Sequence, residues 1–181
     1  MTKNQLKSNL PYIGIPIITI SLFLIHIGHT DIFILFCFEL IVVFGYISAI
    51  VDIKLKRIPN NLILIMIVSW IIIMVPKLFI DTEAAIVLLK DASLGFLIGG
   101  GLFMLVYLVS HKGLGGGDVK FMAVTGLYIG FERTLSTMLY GTIIAALIGL
   151  ILLILKKIGR KDAMPLAPFL YIGILLTVFF S

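Results

Sequence analysis

The sequence predicts an all-α fold: a polytopic transmembrane helical bundle of about seven spans, with its N-terminus in the cytoplasm. Three observations predict it. Apolar runs recur along the chain at close to, or above, the ~18–20 residues that cross a bilayer. Only 13% of the 181 residues are charged and 61% are hydrophobic, with mean hydropathy +1.21, whereas roughly a quarter of a soluble domain is charged. Lysine and arginine gather in alternate loops, the pattern that marks cytoplasmic loops in a membrane protein.

In order, residues 1–10 are polar, with Lys3 and Lys7, and span one covers about 11–28. A short turn, Gly28 to Asp31, leads to span two at about 32–51. A polar, basic loop follows, with Lys54, Lys56, Arg57 and the helix-stopping Pro59. Span three covers about 62–80, and an acidic loop runs from Asp81 to Asp91. Span four covers about 93–110; span five starts at Asp118 and reaches about Gly130. Glu132 and Arg133 read as a tight turn into span six, about 134–155. The basic loop Lys156–Asp162 leads to span seven, about 164–180. Residues 1–31 thus read as a tail and an extra span ahead of a six-span unit at 32–181. No cleavable signal peptide is expected, because the first apolar segment has no small-residue cleavage site.

Composition excludes several classes. The net charge of +5 belongs to topology-setting loops, so no nucleic-acid partner is expected. The single cysteine, Cys37, lies inside an apolar run, which rules out an internal disulfide and a multi-cysteine metal site. His26, His29 and His111 are scattered. No metal and no cofactor are expected.

The chain is organised around Gly113-Leu114-Gly115-Gly116-Gly117-Asp118-Val119-Lys120. Glycines let a backbone turn tightly and let another chain approach. An aspartate at the mouth of an apolar run is costly to ionise and is a functional candidate. A helix N-cap is the plain alternative. A phosphate cradle fits poorly, because Lys120 follows the aspartate instead of standing in a Walker-type spacing. Topology adds a second carboxylate. Asp52 closes span two and Asp118 opens span five, with two crossings between them, so both end on the cytoplasmic side. Span five is short: about 20 Å of helix against a ~30 Å hydrocarbon core. Either the bilayer thins there, or the glycine stretch dips inward and lines a wet cleft. Two carboxylates in one site share a proton, and such a pair can activate water and protonate a leaving group.

These residues carry a resemblance. Gly115-Gly116-Gly117-Asp118 fits the G-x-G-D motif of the intramembrane aspartic proteases. Asp52 followed by Arg57-Ile58-Pro59-Asn60 resembles the first-aspartate segment of the type IV prepilin peptidases. Gly115 to Gly126, with Lys120, resembles their second-aspartate segment; Met164-Pro165-Leu166-Ala167-Pro168-Phe169-Leu170 and Gly173 resemble their final span. The three segments stand in the family's order, from about residue 32 to the end. The resemblance implies a six-span aspartic endopeptidase unit with Asp52 and Asp118 as catalytic dyad. Gly115, Gly117, Pro59, Asn60 and Lys120 would shape the site, and Pro165 and Pro168 the substrate cleft. It implies cleavage of the basic leader of prepilin-like or pseudopilin-like membrane precursors at the cytoplasmic face of the cell membrane. Larger members carry an N-terminal region with paired cysteines and an N-methyltransferase activity. This chain has no CxxC and resembles the short form, expected to be a peptidase without methyltransferase activity. Its partners are then the precursor and the lipid bilayer, with the oligomeric state left open.

Other residues read more plainly. Glu39, within span two, lies some 220° around the helix from Asp52 and reads as a bundle-facing structural group. Pro16 and Pro76 read as kinks. The alternative function is a small proton- or cation-coupled transporter using the two aspartates. It predicts a midplane site and repeated halves, whereas both aspartates read at one boundary and no repeat is found.

Overall fold

The computed structural model describes residues 16–26, 28, 30–110, 114–157, 159 and 164–180. Among these, all regular structure is helical. The elements are α1 (Pro16–His26), α2 (Ile32–Leu55), α3 (Asn60–Ile80), α4 (Thr82–Val109), α5 (Gly116–Ile154) and α6 (Ala167–Phe179). Four of them, α2 to α5, are long and apolar enough to cross a membrane; α1 and α6 are shorter apolar helices.

The helix ends differ from the hydropathy boundaries in ways that follow from local chemistry. Asp31 caps α2, accepting from the Phe33 N–H at 2.8 Å. Nothing breaks the helix until Lys56, which turns left-handed (φ 50°); Asp52 therefore lies in the last turn of α2, not in the loop after it. The basic loop shrinks to the link from Lys56 to Pro59. The expected acidic loop at 81–91 is helix. Asp81 ends α3 and also caps α4, accepting from Ala84 N–H at 3.1 Å. Glu83 in the first turn suits the positive helix end, and Ala84, Ala85, Leu88 and Leu89 are strong helix formers. Pro16 is the first described residue of α1, so the kink expected there falls at the edge of the described residues; Pro76 lies inside α3. Residues 11–15 and 27 of the predicted first span, His29 and His111 fall outside the described residues.

The longest element, α5, spans 39 residues but is broken at Gly130 (φ 77°, ψ −177°). The chain reverses there. A Cβ placed on Gly99 of α4 would lie 2.6 Å from the Met122 carbonyl oxygen and 3.1 Å from Thr134 Cγ2, whereas twelve residues of straight helix would part those two by about 18 Å. The turn expected at Glu132 and Arg133 is thus made at Gly130, because its left-handed φ is one that glycine adopts without Cβ strain. Asp91 of α4 accepts from the Phe131 N–H at 3.0 Å and caps the second arm.

Packing uses small residues, as expected where lipid offers no hydrophobic drive between helices. Gly95 lies against the backbone of Gly126 and Gly130. Gly141 and Gly173 bring the second arm of α5 onto α6, and the Thr137 hydroxyl donates to Thr177 at 3.0 Å. Phe38, Ile41, Phe121, Met122, Leu170 and Ile174 fill the centre of the bundle and are fully buried. At the end remote from the Lys56–Pro59 link, Lys77 of α3 pairs with Asp31 at 2.7 Å and with Asp81 at 3.7 Å, tying the start of α2 to the α3–α4 corner.

Gly130→Ala is expected to lower stability by about 2 kcal/mol or more, since it combines a disfavoured φ with a clash against the Asp91 carboxylate. Gly101→Ala, whose Cβ would meet nothing within 4 Å, is the neutral control. Thermal unfolding in detergent checks both, and equal midpoints for the two variants would refute the reversal.

Candidate active site

The last turn of α2 and the first turn of α5 meet at the Lys56–Pro59 link. Asp52 and Asp118 are 4% and 9% exposed, and they lie close enough for the Asp52 charge to act on Asp118. These residues stand 66 positions apart in the chain, so tertiary packing alone unites them.

The two carboxylates are held differently. Asp52 Oδ2 accepts from the Ala167 N–H at 3.0 Å, and the Leu166 amide adds a second backbone contact. Both amides belong to the N-terminus of α6, whose N-cap Leu166 offers no side-chain acceptor. Asp52 therefore caps α6 from another helix. Asp118 occupies the third position of α5, after the N-cap Gly115. The Gly115 amide reaches its carboxylate, the return half of a capping box. Its Oδ1 is buried with no hydrogen-bonding partner. The plain reading of Asp118 as an N-cap is thus displaced by three residues.

The glycines have separate jobs. A Cβ on Gly115 would stand 2.8 Å from Asp118 Oδ2, so a side chain there would push the carboxylate aside. One on Gly117 would meet the Ile58 backbone nitrogen at 3.1 Å and its oxygen at 3.3 Å. One on Gly116 would meet nothing within 4 Å. The G-x-G spacing therefore matches one glycine that leaves room for the carboxylate and one that seats α5 on the α2–α3 link. Lys120 Nζ donates to Asn60 Oδ1 at 2.9 Å, closing the same junction across its exposed side. Pro59 is the N-cap residue of α3 and is extended. Pro168 sits in the first turn of α6, beside the Ala167 amide that Asp52 holds. Pro165 is part-buried just ahead of it.

Glu39 is not brought to this site; its Oε1 is buried without a hydrogen-bonding partner. His26 Nδ1 lies 3.1 Å from the Leu22 carbonyl oxygen and its ring packs edge-on to Phe38. Among the described residues no group of three His, Cys, Asp or Glu side chains could hold a metal. Sequence reasoning missed the capping of α6 by Asp52. A signal was present, because Leu166 and Ala167 before Pro168 leave a helix start with no capping side chain.

The sequence profile of the type IV leader peptidase family matches residues 39–154, which hold both aspartates. The chain is 27% identical over 135 residues to the prepilin leader peptidase/N-methyltransferase of Bacillus subtilis (strain 168), covering 75% of this chain and 52% of that protein. It is 29% identical to the proteins of that name from Stutzerimonas stutzeri (69% of this chain, 43% of that one) and Legionella pneumophila (86% and 53%). The chain thus spans about half the length of the curated relatives it matches. No solved structure matches it.

Gly117→Ala is expected to cost about 1–3 kcal/mol, the usual range for overpacking, because the Ile58 backbone must move. Gly116→Ala will be neutral or slightly stabilising at a helix start. Unfolding midpoints in detergent rank the two, and the reverse order would contradict this packing.

Proposed function

Since the chain belongs to the type IV leader peptidase family, we propose that it is a membrane-embedded aspartic endopeptidase in which Asp52 and Asp118 share one site. The observation that carries this reading is their juxtaposition, with Asp118 Oδ1 left free of protein partners. Two carboxylates that share a site hold one proton between them. The ionised member takes a proton from water, which attacks the scissile carbonyl. The protonated member donates to the carbonyl oxygen, and as the tetrahedral gem-diol collapses the carboxyl that took the water proton gives it to the leaving amine while the other takes back a hydroxyl proton. No covalent intermediate is needed, and acid and base belong to the pair and not to either residue.

The substrate proposed is a prepilin-like or pseudopilin-like precursor, cut between its basic leader and its apolar helix at the cytoplasmic face of the cell membrane. The basic loops around Lys56 and Lys156 support that orientation. The reversal at Gly130 supports counting α5 as two crossings, giving seven with α1, and the unit from residue 32 onward carries the chemistry. The residues at hand supply hydrolysis, and the reading assigns them no methyl transfer.

Asp52→Asn and Asp118→Asn are expected to lower precursor cleavage at least about 100-fold, the scale of general acid–base catalysis, while leaving the protein inserted. Asp81→Asn serves as active control. Co-expression with candidate precursors, followed by leader-removal assays, checks this; near-native processing by either Asn variant would sink the dyad.

Cysteines at Lys56 and Gly159, in a Cys37→Ala background, should be labelled only from the cytoplasmic side, and one at Thr82 only from the opposite side. Labelling of positions 56 and 82 from one side would overturn the topology.

A further inference from the structure

Most Ser and Thr hydroxyls in the described helices bond back to a carbonyl of their own helix, and Thr137 pairs with Thr177. Ser69, Ser93, Thr134, Ser136 and Thr142 each donate to the carbonyl four residues back, the usual way a membrane helix satisfies Ser or Thr. Ser48 and Thr125 do not. Both are 0% exposed, and neither hydroxyl has a hydrogen-bonding partner. A buried, unpaired hydroxyl is costly.

Helix geometry puts Ser48 and Thr125 in the same seam. Phe44 of α2 packs on Tyr128 of α5, ring centroids 6.3 Å apart, while at the other end the Asp52 charge acts on Asp118; the two helices therefore run in opposite directions along one seam. Phe44, Ser48 and Asp52 are spaced by four and lie on one stripe of α2. Asp118 and Thr125 are spaced by seven and lie within about 20° on α5. Ser48 stands about 6 Å, and Thr125 about 10 Å, deeper along the helix axes than the aspartates. Side chains tilt toward the N-terminus of their helix. Ser48 therefore leans away from the dyad and Thr125 toward it, so the hydroxyls converge on one level. The third orphan in this seam is Asp118 Oδ1, above them.

We infer that Ser48 and Thr125 seat water in the α2–α5 seam beneath the dyad, from which a short hydrogen-bonded chain reaches Asp118 Oδ1. A hydroxyl both donates and accepts, so the pair can hold water and pass on its hydrogen bond. This rests on the peptidase reading for its purpose. Ser48 and Thr125 are positioning residues: they keep the Asp118 carboxylate solvated and oriented from the side the substrate does not approach.

Two measurements test it. A high-resolution structure of the full chain in lipid should place water on both hydroxyls. Hydroxyls turned onto the Phe44 and Phe121 carbonyls, with no water between them, would overturn the inference whatever the protein cleaves. In precursor cleavage, Ser48→Ala and Thr125→Val should each lower kcat about three- to tenfold, as loss of one hydrogen bond predicts, with KM unchanged. Thr125→Ser should restore kcat, and Ser93→Ala should leave it untouched. Full kcat in the Ser48→Ala, Thr125→Val double variant would also overturn the inference. If the wild type cleaves no precursor while the water is present, the peptidase reading falls and the water site stands.

Discussion

A helix that starts inside a bundle carries backbone N–H groups that no residue of its own can satisfy. In a membrane protein, water is not there to take them up, so each needs an acceptor from elsewhere. Here α6 starts at Ala167, fully buried, and finds that acceptor in the carboxylate of Asp52. The arrangement of the site depends on this contact. It fixes the end of α2 to the start of α6, orients one carboxylate, and uses the positive end of the helix dipole to make a buried negative charge tolerable. Removing the carboxylate would leave a helix end without its partner, which is why Asn, an acceptor of the same shape, is the informative substitution.

The second constraint is steric. Between α4 and the first arm of α5 there is room for backbone and little else. Gly95, Gly99 and Gly126 leave the helix surfaces nearly smooth, and any side chain at those points would meet main-chain atoms. The same economy repeats where Gly141 and Gly173 join the second arm to α6. Dispersion between closely apposed backbones replaces the hydrophobic drive that lipid does not supply. Asp118 reaches Asp52 because the first arm lies flat on α4, with its N-terminus pressed by Gly117 onto Ile58.

Much of this was legible in the sequence. Even crossings between Asp52 and Asp118 put both at one boundary, and the G-x-G-D spacing marked the second aspartate. What was not legible has physical causes. Hydropathy reports depth in a bilayer, not where a helix ends, so charges between Asp81 and Asp91 looked like a loop although their neighbours favour helix. Glu132 and Arg133 carry charge that marks the surface and so predict the reversal there. Reversal itself needs a backbone angle that glycine supplies, and it fell on Gly130. The Asp52–Ala167 bond joins residues 115 positions apart, and the clue to it was only negative, a helix start with no cap of its own. The contact of Lys120 with Asn60 was beyond any local rule for the same reason.

The link from Lys56 to Pro59 has almost no slack. One end leaves α2 by a left-handed turn at Lys56, the other enters α3 at Pro59 in extended form, and Ile58 between them is the surface on which Gly117 rests. An inserted residue would have to bulge into that seat or rotate α3 by about 100°, and either would part Asn60 from Lys120. Over evolutionary time, length variation in chains sharing this architecture should therefore be tolerated elsewhere and purged here. The join between α2 and α3 works as a fixed gauge that sets the spacing of the two aspartates.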